Sequence, residues 1–298
     1  MAQRGSDSPR LGVEVPRVQL AVDEVVLTFH ATDAAGHPVG DLKPEEIRVW
    51  DNGRPPRRIL AFEALRDRAL RGAILLDTSE SMQPVLSRDQ AIAMQAVKSI
   101  FTGSSDQTLI GDFAYGSETA RSWTADHPSL LGTIGSIRTG RMNAMPGTSL
   151  FDAIFGICFG AMGSLDPTAT GNFILLFSDG EDNASRTSAD EALTACQRSN
   201  TAIYAFHDTP PPGRDAGGAA ILRHLAERSG GKVFDADESR EDFARDLERL
   251  ATEMRNQYRL VYSPAALVHD GSFHSIALEP PDRVRRIEVR SGYYAPGS

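Results

Sequence analysis

A short apolar run, Ala73-Ile74-Leu75-Leu76, stops at a carboxylate, Asp77, and is followed by hydroxyls at alternate positions, Ser79 and Ser81. Such a run, entered through Gly72 and left through polar turn chemistry, is the mark of a parallel strand buried on both faces. A strand of that kind needs helices on both sides of its sheet, which commits the surrounding chain to an α/β architecture. Ligands of open α/β sheets sit outside the carboxyl ends of the strands, where Asp77, Ser79 and Ser81 fall. Their donors are hard oxygens, with no His or Cys among them, a set suited to Mg²⁺ or Mn²⁺ rather than zinc.

The downstream sequence keeps the same rhythm. A helix is expected over 84–101, with Ile92, Ala93, Ala96, Val97 and Ile100 on one face. A strand over 108–114 and a hairpin partner over 117–123 follow, then a weakly helical stretch at 128–138 and a polar connection at 139–147. Thr148 opens a helix over Leu150, Ile154, Ile157 and Cys158. The run 172–177 reads as a second buried strand, and it too ends in a carboxylate, in Ser178-Asp179-Gly180. Helix 187–199, strand 202–206, a proline-stiffened loop from His207 to Gly218, helix 219–229, strand 233–234 and helix 239–255 complete the series. The last helix carries Phe243, Leu247, Leu250 and Met254 on one stripe. The pattern predicts a doubly wound, mostly parallel sheet flanked by helices over residues 67–255.

Both flanks read as β. Residues 17–32 are rich in β-branched and apolar side chains, and 33–38 form a turn. Ile47–Asp51 and Ile59–Phe62 are expected to pair as a hairpin about Asn52-Gly53. Beyond the α/β series, residues 258–262, 272–278 and 285–289 alternate as strands do. Each flank is marginal alone. Residues 11–66 and 256–298 are therefore expected to pair into one small discontinuous β-sandwich, with the α/β unit inserted between its halves.

Several function classes are disfavoured. The net charge is −9 and the basic residues are scattered, so a nucleic-acid footprint is not expected. No apolar run is long enough for a membrane span. The polar Met1–Pro9 lead lacks the apolar core of a signal peptide. Cys158 and Cys196 fall in two different predicted helices and are expected to be small buried side chains, not a disulfide framework. No P-loop and no G-x-S-x-G elbow occurs. A haloacid-dehalogenase-type phosphatase needs a second Asp where this chain has Ser79. A metal-dependent hydrolase would need a general base that the sequence does not name.

The carboxylates and hydroxyls form one pattern: Asp77-x-Ser79-x-Ser81, then Thr148, then Asp179-Gly180. At all five positions it resembles the metal-ion-dependent adhesion site of von Willebrand factor A domains, over roughly residues 68–255. The flanks resemble those of the bacterial, Acidobacterial-type VWFA-related group, through Pro38-Val-x-x-Leu42-x-x-x-Glu46-Ile-x-Val49-x-Asp51-Asn-Gly53 and Gln257-Tyr258-x-Leu260-x-Tyr262. Arg290-x-Gly292-Tyr293-Tyr294-Ala295-Pro296 adds to that likeness. The resemblance implies that Ser79, Ser81 and Thr148 contact a divalent cation directly, Mg²⁺ or Mn²⁺ with Ca²⁺ as a further option. Asp77 and Asp179 would act directly or through water, and a partner protein's carboxylate would complete the shell. It also implies binding without catalysis, and a location outside the cytoplasm. The competing reading is a structural or assembly module with an unused site. Glu80, Met142, Met145, Glu181 and His207 are the expected rim for a partner.

Overall fold

The computed structural model describes residues 24–66, 69–114, 117–120, 122–139, 147–163, 171–207, 217–235 and 240–295. Three strands come first: β1 (Val25–Thr32), β2 (Arg48–Asp51) and β3 (Arg58–Ala64). The alternating part begins with β4 (Leu70–Asp77), α1 (Leu86–Ile100), β5 (Gln107–Ala114), β6 (Ser117–Ala120) and α2 (His127–Ser136). It continues with α3 (Leu150–Phe155), β7 (Gly171–Ser178), α4 (Ala189–Arg198) and β8 (Thr201–His207). It ends with α5 (Gly217–Ser229), β9 (Val233–Asp235) and α6 (Arg240–Arg255). Four more strands follow: β10 (Gln257–Ser263), β11 (Phe273–Glu279), β12 (Arg286–Val289) and β13 (Gly292–Tyr294).

The central sheet has the order β6-β5-β4-β7-β8-β9. Five strands are parallel, and β6 alone runs antiparallel to its neighbour β5. Period-two side-chain alternation explains why β4 and β7 are apolar throughout. Ile74 and Leu76 of β4, with Phe173, Leu175 and Phe177 of β7, enter a core covered by α1, α2 and α6. Ala73, Leu75, Ile174 and Leu176 enter the opposite core, covered by α3, α4 and α5. Strand order reverses about β4, so its carboxyl end and that of β7 flank the crevice where doubly wound sheets hold ligands.

Helix α3 passes directly into a π-helical turn, Gly156–Met162. Within that turn Cys158 is disulfide-bonded to Cys196 of α4, with the Cα atoms 4.8 Å apart. This corrects the expectation of two unlinked thiols. The cysteines are 38 residues apart in sequence, and only the packing of α3 against α4 in one core brings them together.

The flanking strands interleave. One sheet has the order β12-β1-β10-β3 and the other β13-β11-β2, and both line a core of Leu27, Phe29, Val49, Tyr258, Leu260 and Ile276 among others. Every sheet neighbour in this part is antiparallel, and each sheet mixes strands from before and after the α/β series. The expected hairpin between β2 and β3 does not form, because β2 pairs with β11 and β3 with β10. The Asn52-Gly53 turn itself is present, with both residues at positive φ and reciprocal Asp51–Arg54 backbone bonds. Pro55 and Pro56 then follow without N–H donors, and the chain crosses to the other sheet. Buried Asp51 ties the halves together. It accepts hydrogen bonds from the hydroxyls of Tyr262 at 2.8 Å and Tyr293 at 2.9 Å, and contacts His274 Nδ1 at 3.0 Å.

Candidate metal centre

Asp77 closes β4 and is 1 % exposed. Its Oδ1 accepts the Ser79 N–H at 2.9 Å, and its Oδ2 accepts the Ser178 hydroxyl at 2.8 Å. The first bond bends the chain back so that the Ser79 and Ser81 hydroxyls stand 3.1 Å apart. Thr78 faces the other way and anchors the loop to β5, donating its N–H and its hydroxyl to the Phe113 carbonyl at 2.8 and 3.0 Å.

Asp179 follows β7 directly and is also buried. Its Oδ1 accepts the Glu181 N–H at 3.1 Å. Gly180 has φ +81°, and a Cβ there would lie 2.3 Å from the Gly218 carbonyl oxygen, so only glycine lets this loop press against the start of α5. Burial pushes the Asp77 carboxyl up to about 7, against the hydrogen bonds from Ser79 and Ser178; the negative charge of Asp179 adds to the rise. Two buried carboxylates thus sit within electrostatic reach of each other, an arrangement that a divalent cation would neutralise.

Thr148 is buried one residue before the N-cap of α3. Its N–H donates to Asn183 Oδ1 at 2.8 Å, and its carbonyl accepts the N–H groups of Asn183 and Ala184, both at 3.1 Å. Asp182 accepts the Phe151 N–H at 3.0 Å, and Asp152 accepts those of Arg186 and Thr187. The segment from Ser178 to Asn183 is therefore the hub. It holds the first loop through Ser178–Asp77 and the second through Asn183–Thr148.

Among the described residues no group of three or more His, Cys, Asp or Glu converges. An ion in this crevice would therefore need the hydroxyls of Ser79, Ser81 and Thr148 beside the two carboxylates, a hard-oxygen set that fits Mg²⁺-type chemistry. On the rim, Glu80 is exposed and Glu181 half-buried. His207 ends β8 in register with Ser178, at the same sheet edge. Met142 and Met145 lie outside the described residues. Sequence reasoning missed Ser178, Asn183 and Asp152, which hold the loops together without belonging to the ligand pattern. Asp182 is a helix-start acceptor and not a freely solvated loop acid.

No family model and no curated protein sequence matches the chain. Solved structures do match. Proximal thread matrix protein 1 from the mussel byssus, determined with a zinc-occupied MIDAS motif, superposes at TM-score 0.50 and 14% identity, over 68% of this chain and 50% of that one. BatB from Bacteroides thetaiotaomicron aligns at TM-score 0.49 and 20% identity, over 62% of this chain and 98% of that one. The SpRpn10 VWA domain aligns at TM-score 0.43 and 14% identity, over 60% and 93%. With its parallel sheet, its two-sided helical cover and its likeness to proximal thread matrix protein 1, the α/β part of the chain has a von Willebrand factor A-type fold.

Proposed function

We propose that Asp77, Ser79, Ser81, Thr148 and Asp179 hold one divalent cation, Mg²⁺ in the first instance with Mn²⁺ or Ca²⁺ as substitutes, and that the protein uses it to capture a carboxylate of a partner protein. The observation that carries this reading is the paired burial of Asp77 and Asp179 at adjacent strand ends, with the Asp77 carboxyl pushed up to about 7. A buried carboxylate raised in that way is costly without a counter-charge, and the neighbouring hydroxyls supply neutral ligands that leave room for one more anion. Bound there, the cation supplies an electrostatic anchor for an incoming carboxylate. The chain's own part is to keep the two serine hydroxyls together and to hold Thr148 on the Asp179 loop.

The function is capture and not turnover. The flanking sandwich of β1 to β3 with β10 to β13 is the base on which the inserted α/β part is presented. A location outside the cytoplasm is supported by the Cys158–Cys196 disulfide, since such bonds persist in oxidising compartments. Among the described residues no helix is long and apolar enough to cross a membrane. Calorimetric titration with Mg²⁺ tests the site: saturable binding to the wild type and none to Asp77→Ala is expected. A pull-down in Mg²⁺ eluted with chelator tests the capture. Equal binding of Mg²⁺ by wild type and Asp77→Ala would remove the proposal.

A further inference from the structure

A cavity of about 500 Å³ opens between the π-helical turn after α3 and one face of α4, and none of the five metal-site residues lines it. This volume lies in the range of small-molecule sites. One wall is Phe155, Cys158 and Phe159; the other includes Ala195, Arg198 and Ser199. The Phe155 and Phe159 rings stack with centroids 5.1 Å apart. Phe159 is nevertheless 67% exposed, while almost every other large apolar side chain among the described residues is covered. The aromatic pair thus presents uncovered apolar surface to the cavity, the kind of surface that marks interaction sites.

The charges on the lining are not equivalent. The Asp190 carboxylate accepts the Tyr294 hydroxyl at 2.9 Å, and Glu191 accepts both the N–H and the hydroxyl of Ser188 at 2.8 Å. Arg198, by contrast, has no acidic partner among the described residues. It stands at the far end of α4, about 12 Å along the helix axis from Asp190 at 1.5 Å per residue. One end of the cavity therefore offers an uncommitted cation, and the other offers carboxylates that repel anions.

We infer that this cavity binds an aliphatic carboxylate of the fatty-acid class, its chain packed along Phe155 and Phe159 and its head group paired with Arg198. Apolar walls supply the affinity, and the bidentate donor geometry of a guanidinium selects the carboxylate. The acidic end fixes the direction in which the chain lies.

Dodecanoate and dodecan-1-ol, titrated below their aggregation limits into the full chain, test the inference by calorimetry. Dodecanoate is expected to bind one per chain and at least ten-fold more tightly than the alcohol. Arg198→Gln should abolish that preference, and Phe159→Ser should weaken both ligands about ten-fold. Unchanged far-ultraviolet circular dichroism would show that both variants fold. Asp77→Ala should bind dodecanoate as the wild type does, which separates this cavity from the metal site. Absence of dodecanoate binding, or equal affinity for acid and alcohol, would overturn the assignment. So would a wild-type dimer in light scattering that Phe159→Ser makes monomeric, because the groove would then belong to a second copy.

Discussion

The Asp77 carboxyl should leave a signature in the stability of the metal-free protein. In the unfolded chain the group titrates near 3.8, and burial moves it to about 7 in the native state. Between those values the native state binds more protons than the unfolded one, so stability falls as pH rises through the window and levels off above it. At 1.36 kcal/mol per pKa unit, the full loss is at most ~4 kcal/mol. A domain of this size loses about 2–4 °C of Tm per kcal/mol, so the midpoint in chelator should drop on the order of 5–10 °C between pH 5 and pH 8. Asp77→Asn keeps an acceptor for the Ser79 N–H and places an amide against Ser178, but cannot ionise. Its midpoint should vary much less over the same range and exceed the wild type's at pH 8. Mg²⁺ at about one hundred times its Kd should return about 2.7 kcal/mol to the wild type at pH 8, and nothing to the variant. Differential scanning fluorimetry across the pH series, with and without chelator, reads all of this. A flat wild-type profile, or an identical slope in Asp77→Asn, would refute the reasoning from burial.

Further outcomes follow from other contacts. Removing the Cys158–Cys196 bond by Cys158→Ser with Cys196→Ser opens a 38-residue loop and should cost about 3–4 kcal/mol in urea denaturation. Gly180→Ala should destabilise by about 1–3 kcal/mol, because its methyl would strike the Gly218 carbonyl, and calorimetry should show weaker Mg²⁺ binding as the Asp179 loop shifts. Asp51→Ala leaves Tyr262, Tyr293 and His274 without their shared acceptor. It should cost about 3 kcal/mol and loosen hydrogen exchange in β10, β11 and β13 before that in the central sheet. Helix α6 leads through Asn256 into β10, so Mg²⁺ should slow exchange across residues 240–262; unchanged protection there would separate the site from the sandwich.

Much of this architecture was legible because single-residue chemistry marks it. The Ala73–Leu76 and Phe173–Phe177 runs are apolar on both faces, and both strands lie at the centre of a sheet covered on both sides. The α6 stripe of Phe243, Leu247, Leu250 and Met254 is buried as its spacing predicts. What escaped is what depends on distant segments meeting. The disulfide joins two helices whose packing has no local signal. The Asn52-Gly53 turn has hairpin chemistry, yet Pro55 and Pro56 divert the strand to another partner. Ser178, Asn183 and Asp152 are ordinary polar residues until the fold places a loop against them. The five hydroxyl and carboxylate positions stood out through their resemblance to a known family's adhesion-site pattern, whereas the bonds that hold their loops together did not.

The pairing of β3 with β10, Ala64 opposite Tyr258, has a mechanical consequence. The chain leaves the outer sheets and returns to them on neighbouring strands, so the inserted part hangs from two adjacent points like a pendant on a single hook. Once that part has folded, its ends are already side by side, and the long excursion adds little closure entropy to the pairing of the outer strands. The outer sheets themselves cannot be completed until β10 to β13 have been synthesised. Tension on the two chain ends would accordingly be borne first by the outer strands, leaving the loops after β4 and β7 in a shielded section of the load path.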